Sequence, residues 1–295
     1  MPLDIQSKKI TNCPLDENCN WEFLYNSTFH NYNLPIYKCK NCGLQTIHPK
    51  PKSLKAIYDE NYYSGSSNYS YKDERKTEKF DSFVWDARLK NIQKFVKSGN
   101  FLDVGSSFGG FLERAKKFGF TPYGIEISPY SAKYCQDRNI ETFQGEFLDS
   151  KFPNHFFDVI TLIEVIEHLD KPKEVFQKLF DLLKKDGLLV IQTANFEGWQ
   201  AISAGASYHY YLPGHLFYYS ESNLKKILTK NGFSKFYSFF GVDFPLLAKL
   251  QKSRGSFSKL TDYLTWFRIS FYHFKSKIRL NNKSLTSSLV LYAVK

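Results

Sequence analysis

The chain has 295 residues, 42% of them hydrophobic and 23% charged, which suits one large catalytic domain with or without a small module and excludes global disorder. No apolar run approaches the ~20 residues of a membrane span, and the start, MPLDIQSKKI, has no charged stretch followed by an apolar one, so a cytoplasmic protein is expected. The outliers are a net charge of +11 and an aromatic content of 18%, a balance that attracts anions such as nucleic acid, a membrane surface or a phosphorylated substrate.

Four of the five cysteines lie in the first fifty residues: Cys13, Cys19, Cys39 and Cys42. In a reducing compartment such pairs read as metal ligands rather than disulfides. Cys39-Lys-Asn-Cys42-Gly43 is a CxxCG knuckle, in which two thiolates grip one cation and the glycine permits the tight turn. Cys13 and Cys19 are more loosely spaced, and nineteen residues separate the two pairs, as in a small zinc ribbon. A structural Zn²⁺ in a zinc-ribbon-like module over 1–51 is the expectation, with His30 or His48 as alternatives to Cys19. Residues 52–98 read as a helical lid or linker broken by the polar tract from Tyr62-Tyr63 onward, two aromatics placed to close over a ligand.

From residue 99 a βα alternation begins and runs to the end. Strands are predicted at 101–104, 123–127, 141–144, 156–163, 188–192, 235–240 and 289–294, with helices at 111–118, 129–138, 172–183 and 220–231. The run FFDVITLI at 156–163 is nearly continuous in apolar residues, as in a strand buried on both faces. The fold class is therefore α/β, a Rossmann-like, doubly wound, mostly parallel seven-stranded sheet over 99–295, with a basic helical insert at 244–283 before the last strand.

The first strand runs into Leu102-Asp103-Val104-Gly105-Ser106-Ser107-Phe108-Gly109-Gly110. A glycine turn at the carboxyl edge of a strand lets a nucleotide-like ligand approach the backbone. The acid before the first glycine and the G-x-x-x-G spacing depart from the dinucleotide fingerprint and favour a cationic, phosphate-free ligand. A second acid, Glu126, stands about twenty residues on, where acids take ribose hydroxyls.

These segments resemble the class I S-adenosylmethionine-dependent methyltransferases, and most of all the bacterial type-23 domain branch that often carries an N-terminal zinc ribbon. The resemblance rests on CxxCG at 39–43, LDVGSSFGG at 102–110, GIEIS at 124–128, QGEF at 144–147, FFDVITLIEVIEHLDKP at 156–172 and HYYLPGHLFYYS at 209–220. It implies a cofactor site formed by Asp103, Gly105, Ser106, Gly109, Glu126, Ile127, Glu146, Phe147 and Glu164. Glu126 would hold the ribose and Glu146 would meet the adenine, with Phe147 beside the ring. Ser107 stands where the family often has glycine.

Two clusters are candidates for the chemistry. In Glu164-Val165-Ile166-Glu167-His168 a helical start would put Glu164, Glu167 and His168 on one face. His168 is the expected base, with lining of the site or a divalent metal as alternatives, since similar ExxEH segments of quinone-precursor O-methyltransferases hold a metal. The loop His209-Tyr210-Tyr211-Leu212-Pro213-Gly214-His215 is expected to wall the acceptor, through His209, Tyr210, Tyr211 and His215, with His215 also a catalytic candidate. Cys135 falls in a helix and suits packing.

The insert 244–283 carries nine Lys or Arg against Asp262 alone, and so holds +8 of the +11. Phe257, Leu260, Leu264, Phe267, Phe271, Phe274 and Ile278 recur at steps of three and four, the stripe of one helix. Packing on the domain or on a homodimer partner is one reading; peripheral membrane contact through 255–280 is another. The expected activity is methyl transfer to a small-molecule or lipid-linked acceptor such as a sugar or other cell-envelope precursor. RNA methylation and a non-catalytic adaptor are the alternatives, with nucleic acid disfavoured because the charge is confined to the insert.

Overall fold

The computed structural model describes residues 10, 13–15, 19–29, 33–51 and 73–295. His30, Tyr62 and Tyr63 lie outside the described residues, as does all of 52–72. The N-terminal segment forms β1 (Trp21–Asn26), β2 (Pro35–Cys39) and β3 (Gln45–Ile47), successive antiparallel neighbours. The turn between β2 and β3 is the cysteine knuckle, with Gly43 at φ +75° and its N–H donating to the Cys39 carbonyl at 2.9 Å.

After α1 (Glu78–Ile92), the alternation expected from the sequence follows. It runs β4 (Gly99–Val104), α2 (Gly110–Lys117), β5 (Phe120–Glu126), α3 (Pro129–Asp137), β6 (Glu141–Gln144), β7 (Phe157–Ile163), α4 (Pro172–Leu182) and β8 (Leu183–Ala194). Then come α5 (Trp199–Ala204), β9 (Phe217–Tyr218), α6 (Glu221–Lys230) and β10 (Lys235–Phe240). Local signals set these ends. Ser128 caps α3 with Pro129 in its first turn, and Ser220 and Asn223 close a reciprocal capping box on α6.

The insert holds α7 (Leu246–Ser253), a 3-10 segment Leu260–Leu264, α8 (Thr265–Lys275) and the hairpin β11 (Arg279–Leu280) and β12 (Lys283–Ser284), before β13 (Ser288–Val294). The expected single helix is thus divided: the break at 257–259 interrupts it, and only its second half keeps the stripe. No residue of α8 is buried, so the stripe does not pack on the domain.

Seven strands form one sheet in the order β10-β13-β8-β7-β4-β5-β6, with β13 antiparallel to both neighbours and β4 paired in parallel with β5 and β7. Alternate residues serve opposite faces. Phe101, Val159, Leu188 and Val190 join Leu89 and Ile92 of α1 and Leu112 of α2. Leu102, Ile160, Leu189 and Ile191 join Phe176 and Leu179 of α4 and Leu224 and Leu228 of α6.

The second cluster continues without a break into Leu15, Ile36, Cys39, Leu44 and Ile47. β9 also pairs with β3, so residues from the far side of the chain complete the N-terminal sheet.

Candidate active site

Parallel strands β4, β5 and β7 deliver their carboxyl ends to one edge, and the conserved geometry of such sheets puts a ligand there. At that edge Gly105 takes φ +77° and Gly109 φ +75°, and a Cβ on Gly105 would lie 2.6 Å from Val165 Cγ2. Ser107, where glycine was the family expectation, also adopts the left-handed region at φ 48°. The hydroxyls of Ser106 and Ser107 are buried without a hydrogen-bond partner among the described residues. A glycine cradle with orphaned polar atoms fits a ligand pressed against the backbone.

Asp103, at the end of β4, is buried and accepts a hydrogen bond from Thr161 Oγ1 at 2.5 Å. Burial raises its carboxyl to about 7, partly offset by that bond. Glu126, at the end of β5, is also buried; its two oxygens accept from the N–H groups of Ser107 and Ser128, each at 2.8 Å. It therefore shapes the turn as well as facing it.

Ile127 is half-buried beside Glu126, Glu146 is exposed in the loop after β6, and Phe147 is buried in the core with Lys178 Nζ 5.3 Å above its ring. Cys135 is fully buried behind the turn and donates to the Ser107 carbonyl at 3.2 Å, a packing role as expected.

The segment after β7 corrects the expected helix. Glu164 takes φ +55°, and only Ile166–His168 forms a single 3-10 turn. The left-handed residue turns the chain at the sheet edge in place of a helical turn, yet Glu164 stays near enough for its charge to act on Glu167. Glu164 instead accepts from Gln192 Nε2 at 2.7 Å. Gln192 in turn accepts from Arg88, whose guanidinium forks onto Asp243, while Tyr292 donates to the same carboxylate at 2.6 Å.

What replaces the helical triad is a trio from two segments. Ligating atoms of Glu167, His168 and His215 all lie within 4.8 Å of one another, a set able to hold a proton or a divalent cation. His168 Nδ1 is 2.8 Å from the Gly214 carbonyl and His215 Nδ1 is 2.8 Å from the Tyr210 carbonyl. A carbonyl only accepts, so both Nδ1 atoms carry hydrogen and both Nε2 atoms carry the lone pair.

Burial lowers His168 to about 4 and pushes His215 well below the usual range, the latter aided by its histidine neighbour. Burial, then the Glu164 charge, raises Glu167 well above the carboxylate range. Neither carboxyl oxygen of Glu167 has a hydrogen-bond partner among the described residues.

The 209–215 loop divides by role. Tyr210 stacks on His215, with rings 6.4 Å apart and 24° from parallel. His209 is exposed on the rim. Tyr211 departs from the expected acceptor wall: it is buried, and its hydroxyl donates to Gln45 Oε1 at 2.6 Å and meets Tyr25 at 2.8 Å, joining the loop to the N-terminal sheet.

Sequence reasoning missed Glu74, whose carboxylate accepts from the Phe108 N–H at 3.2 Å on the glycine turn. It also missed Arg75, stacked 4.2 Å over Phe108 and donating to the Tyr130 hydroxyl at 2.8 Å. No periodicity marks an irregular segment ahead of a helix.

All four N-terminal cysteines converge. Cys13 and Cys42 sulfurs are 3.4 Å apart and Cys19 and Cys39 sulfurs 2.7 Å apart. Burial pushes the Cys19 thiol up to about 12; the Cys13 contact and burial raise Cys42 further. Such thiols ionise only against a cation. His48 is not among them; its ring lies edge-on to Tyr37 at 5.9 Å.

A methyltransferase domain model matches residues 75–236, more than half of the chain, including the glycine turn, Glu126 and the Glu167, His168 and His215 trio. The chain belongs to this methyltransferase domain family. The chain is 29% identical over 120 residues to the ubiquinone biosynthesis O-methyltransferase of Actinobacillus pleuropneumoniae, which covers 36% of this chain and 51% of that protein. It is 30% identical over 104 residues to the ajmaline N-methyltransferase of Rauvolfia serpentina, covering 32% and 36%. The chain thus spans about half, or less, of these curated relatives.

In fold it is similar to phosphoethanolamine N-methyltransferase 2 of Haemonchus contortus solved with S-adenosyl-L-methionine. The TM-score is 0.54 at 16% identity, covering 94% of this chain and 69% of that one. The likeness is one of fold.

Proposed function

We propose that this protein is an S-adenosylmethionine-dependent methyltransferase acting on a small-molecule or lipid-linked acceptor, a sugar or other cell-envelope precursor, in the cytoplasm. The observation that carries the reading is the turn at 103–109. Two left-handed glycines bring the backbone close, and a buried acid, Asp103, stands beside them at the end of β4. When bound, the cofactor supplies a methyl group on a sulfonium, already activated for in-line displacement.

The chain's own residues supply binding, orientation and proton handling. Asp103 is suited to the cationic amino acid portion, Glu126 and Ile127 to the ribose, and Glu146 to the adenine edge. Ser106 and Ser107 offer hydroxyls to the same ligand. Val165 fills the space that a side chain at 105 would need, and so fixes the floor of the cradle. On the acceptor side, His168 offers Nε2 to an acceptor proton, and Glu167, kept toward its neutral form by burial, lies beside the imidazole. His215 and Tyr210 form the wall that holds the acceptor and excludes water.

Titration calorimetry with S-adenosylmethionine tests this reading: saturable binding is expected, and its absence at millimolar cofactor overturns it. Release of S-adenosylhomocysteine across a panel of sugar nucleotides and polyprenyl-linked sugars then identifies the acceptor.

We further propose that Cys13, Cys19, Cys39 and Cys42 hold a structural Zn²⁺. Four sulfurs gathered from a loop and a knuckle support it. Metal analysis of the purified protein is expected to find about one equivalent; less than about half sinks the assignment.

A further inference from the structure

The insert presents an outer surface that the fold leaves uncovered. Leu260 is 88% exposed, Phe267 76%, Leu264 65%, Phe271 63% and Phe274 62%. They recur at steps of four, three, four and three along the 3-10 segment and α8, and so form one stripe. The opposite side of the helix is already docked: Trp266 Nε1 donates to Ser253 Oγ at 3.0 Å, and the Tyr272 hydroxyl meets Ser287 Oγ at 3.3 Å. The helix therefore has two apolar faces, one seated on the protein and one turned outward.

The charge around the outward face is of one sign. Arg268 and Lys275 flank the stripe by helical angle, and Lys259, Lys277, Arg279 and Lys283 lie at its two ends. Among the described residues, Lys252 alone of the insert's nine cations pairs with an acid, Asp81 at 2.7 Å. The insert's one acid, Asp262, is taken up locally, accepting from the N–H groups of Ser258 and Lys259 at 2.6 and 3.0 Å.

From this juxtaposition of an exposed aromatic stripe with a cationic surround we infer that α8 and its 3-10 lead-in seat in the interface of an anionic phospholipid bilayer. Apolar side chains of such a helix enter the headgroup–acyl boundary while lysine and arginine stems reach the phosphates beside them. A second copy of the chain is the poorer occupant, because a two-fold contact would set one +8 insert against another.

From its docked side, opposite the stripe, the helix reaches Tyr208, the residue before the 209–215 loop. Ser287 links them, accepting from the Tyr208 hydroxyl at 3.2 Å through its carbonyl and meeting Tyr272 through its own hydroxyl. A bilayer on the outward face brings a lipid-linked acceptor to the sheet edge that carries His168 and His215.

Co-sedimentation of the full chain with vesicles tests this, and it reads out independently of cofactor binding or turnover. Binding to phosphatidylglycerol–phosphatidylcholine vesicles is expected, at least about tenfold weaker on phosphatidylcholine alone and falling with salt. The Phe267→Asp/Phe271→Asp variant is expected to lose at least about tenfold on anionic vesicles, with its thermal transition and cofactor affinity unchanged because both side chains are exposed. Arg268→Glu/Lys275→Glu is expected to lose the preference for anionic lipid.

Wild-type protein left in the supernatant overturns the inference, as does equal binding by the double aspartate variant. A concentration-dependent dimer that the same variant dissociates gives the face to a second copy instead.

Discussion

At the residue scale, the site is defined by groups held in states that water would not choose. Asp103 keeps its carboxyl near 7 because burial disfavours the anion, and the Thr161 hydrogen bond and the charge of Arg88 compensate only in part. A cationic ligand above it favours the carboxylate, so binding releases a proton wherever the free protein still holds one. The sign follows: cofactor affinity is full above that value and weakens as pH falls through it. We expect about tenfold weaker S-adenosylmethionine binding at about pH 6 than at about pH 8 by calorimetry, with the dependence flattened in Asp103→Asn.

Gly105→Ala meets two penalties at once, a left-handed φ of +77° and a Cβ 2.6 Å from Val165. Cofactor affinity should fall by tenfold or more, while the thermal transition drops by an amount matching ~1–2 kcal/mol. For His168→Ala we expect turnover to fall about 10²–10⁴-fold with cofactor affinity unchanged. Equal loss in both would make the histidine part of the cofactor site instead.

At the element scale, the sheet was legible because its strands obey strong rules. The run FDVITLI is apolar on both faces, Pro129 and Pro172 open helices, and acids mark the ends of β4 and β5. What escaped was the geometry between elements. The segment 164–168 looked helical by spacing, yet one left-handed residue at Glu164 was enough to exchange the i, i+3, i+4 face for a partnership with His215, forty-seven residues away. Spacing rules presume a backbone state that the sheet edge overrides.

The stripe of the insert was likewise read as one helix, and the break at 257–259 divides it. Arg88 shows the same limit. It lies mid-helix, and its partner Asp243 lies 155 residues on, so no local pattern links them. Both are almost wholly buried, and removing one leaves the other charged in a dry site. Arg88→Met should therefore lower unfolding free energy by about 3–5 kcal/mol in urea titration. The paired Arg88→Met/Asp243→Leu chain should recover much of it.

At the scale of the whole molecule, the N-terminal sheet and the seven-stranded sheet are joined through the segment 209–223, which includes the loop proposed to wall the acceptor. Thr46 Oγ1 donates to the Leu216 carbonyl at 2.8 Å, Tyr211 donates to Gln45, and Asn223 reaches the Cys42 carbonyl from α6. β9 completes the small sheet, and one apolar cluster runs from Leu15 and Ile36 to Leu189 and Leu224. A module so joined does not unfold alone: losing the knuckle exposes part of the catalytic core and releases the strand that follows His215.

The cofactor turn lies at the carboxyl ends of β4 and β5 and takes part in none of these three hydrogen bonds. Stripping the metal proposed for the cysteines should therefore separate two functions. With a strong chelator, or in Cys39→Ser/Cys42→Ser, we expect a single thermal transition displaced downward rather than a new early one. We expect acceptor turnover to collapse while calorimetric S-adenosylmethionine affinity stays within about threefold, since none of the hydrogen bonds that hold the knuckle reaches the turn. An unchanged transition would mean that the cysteines are only packing, and a parallel loss of cofactor binding would mean that the module supports the whole sheet rather than its acceptor side.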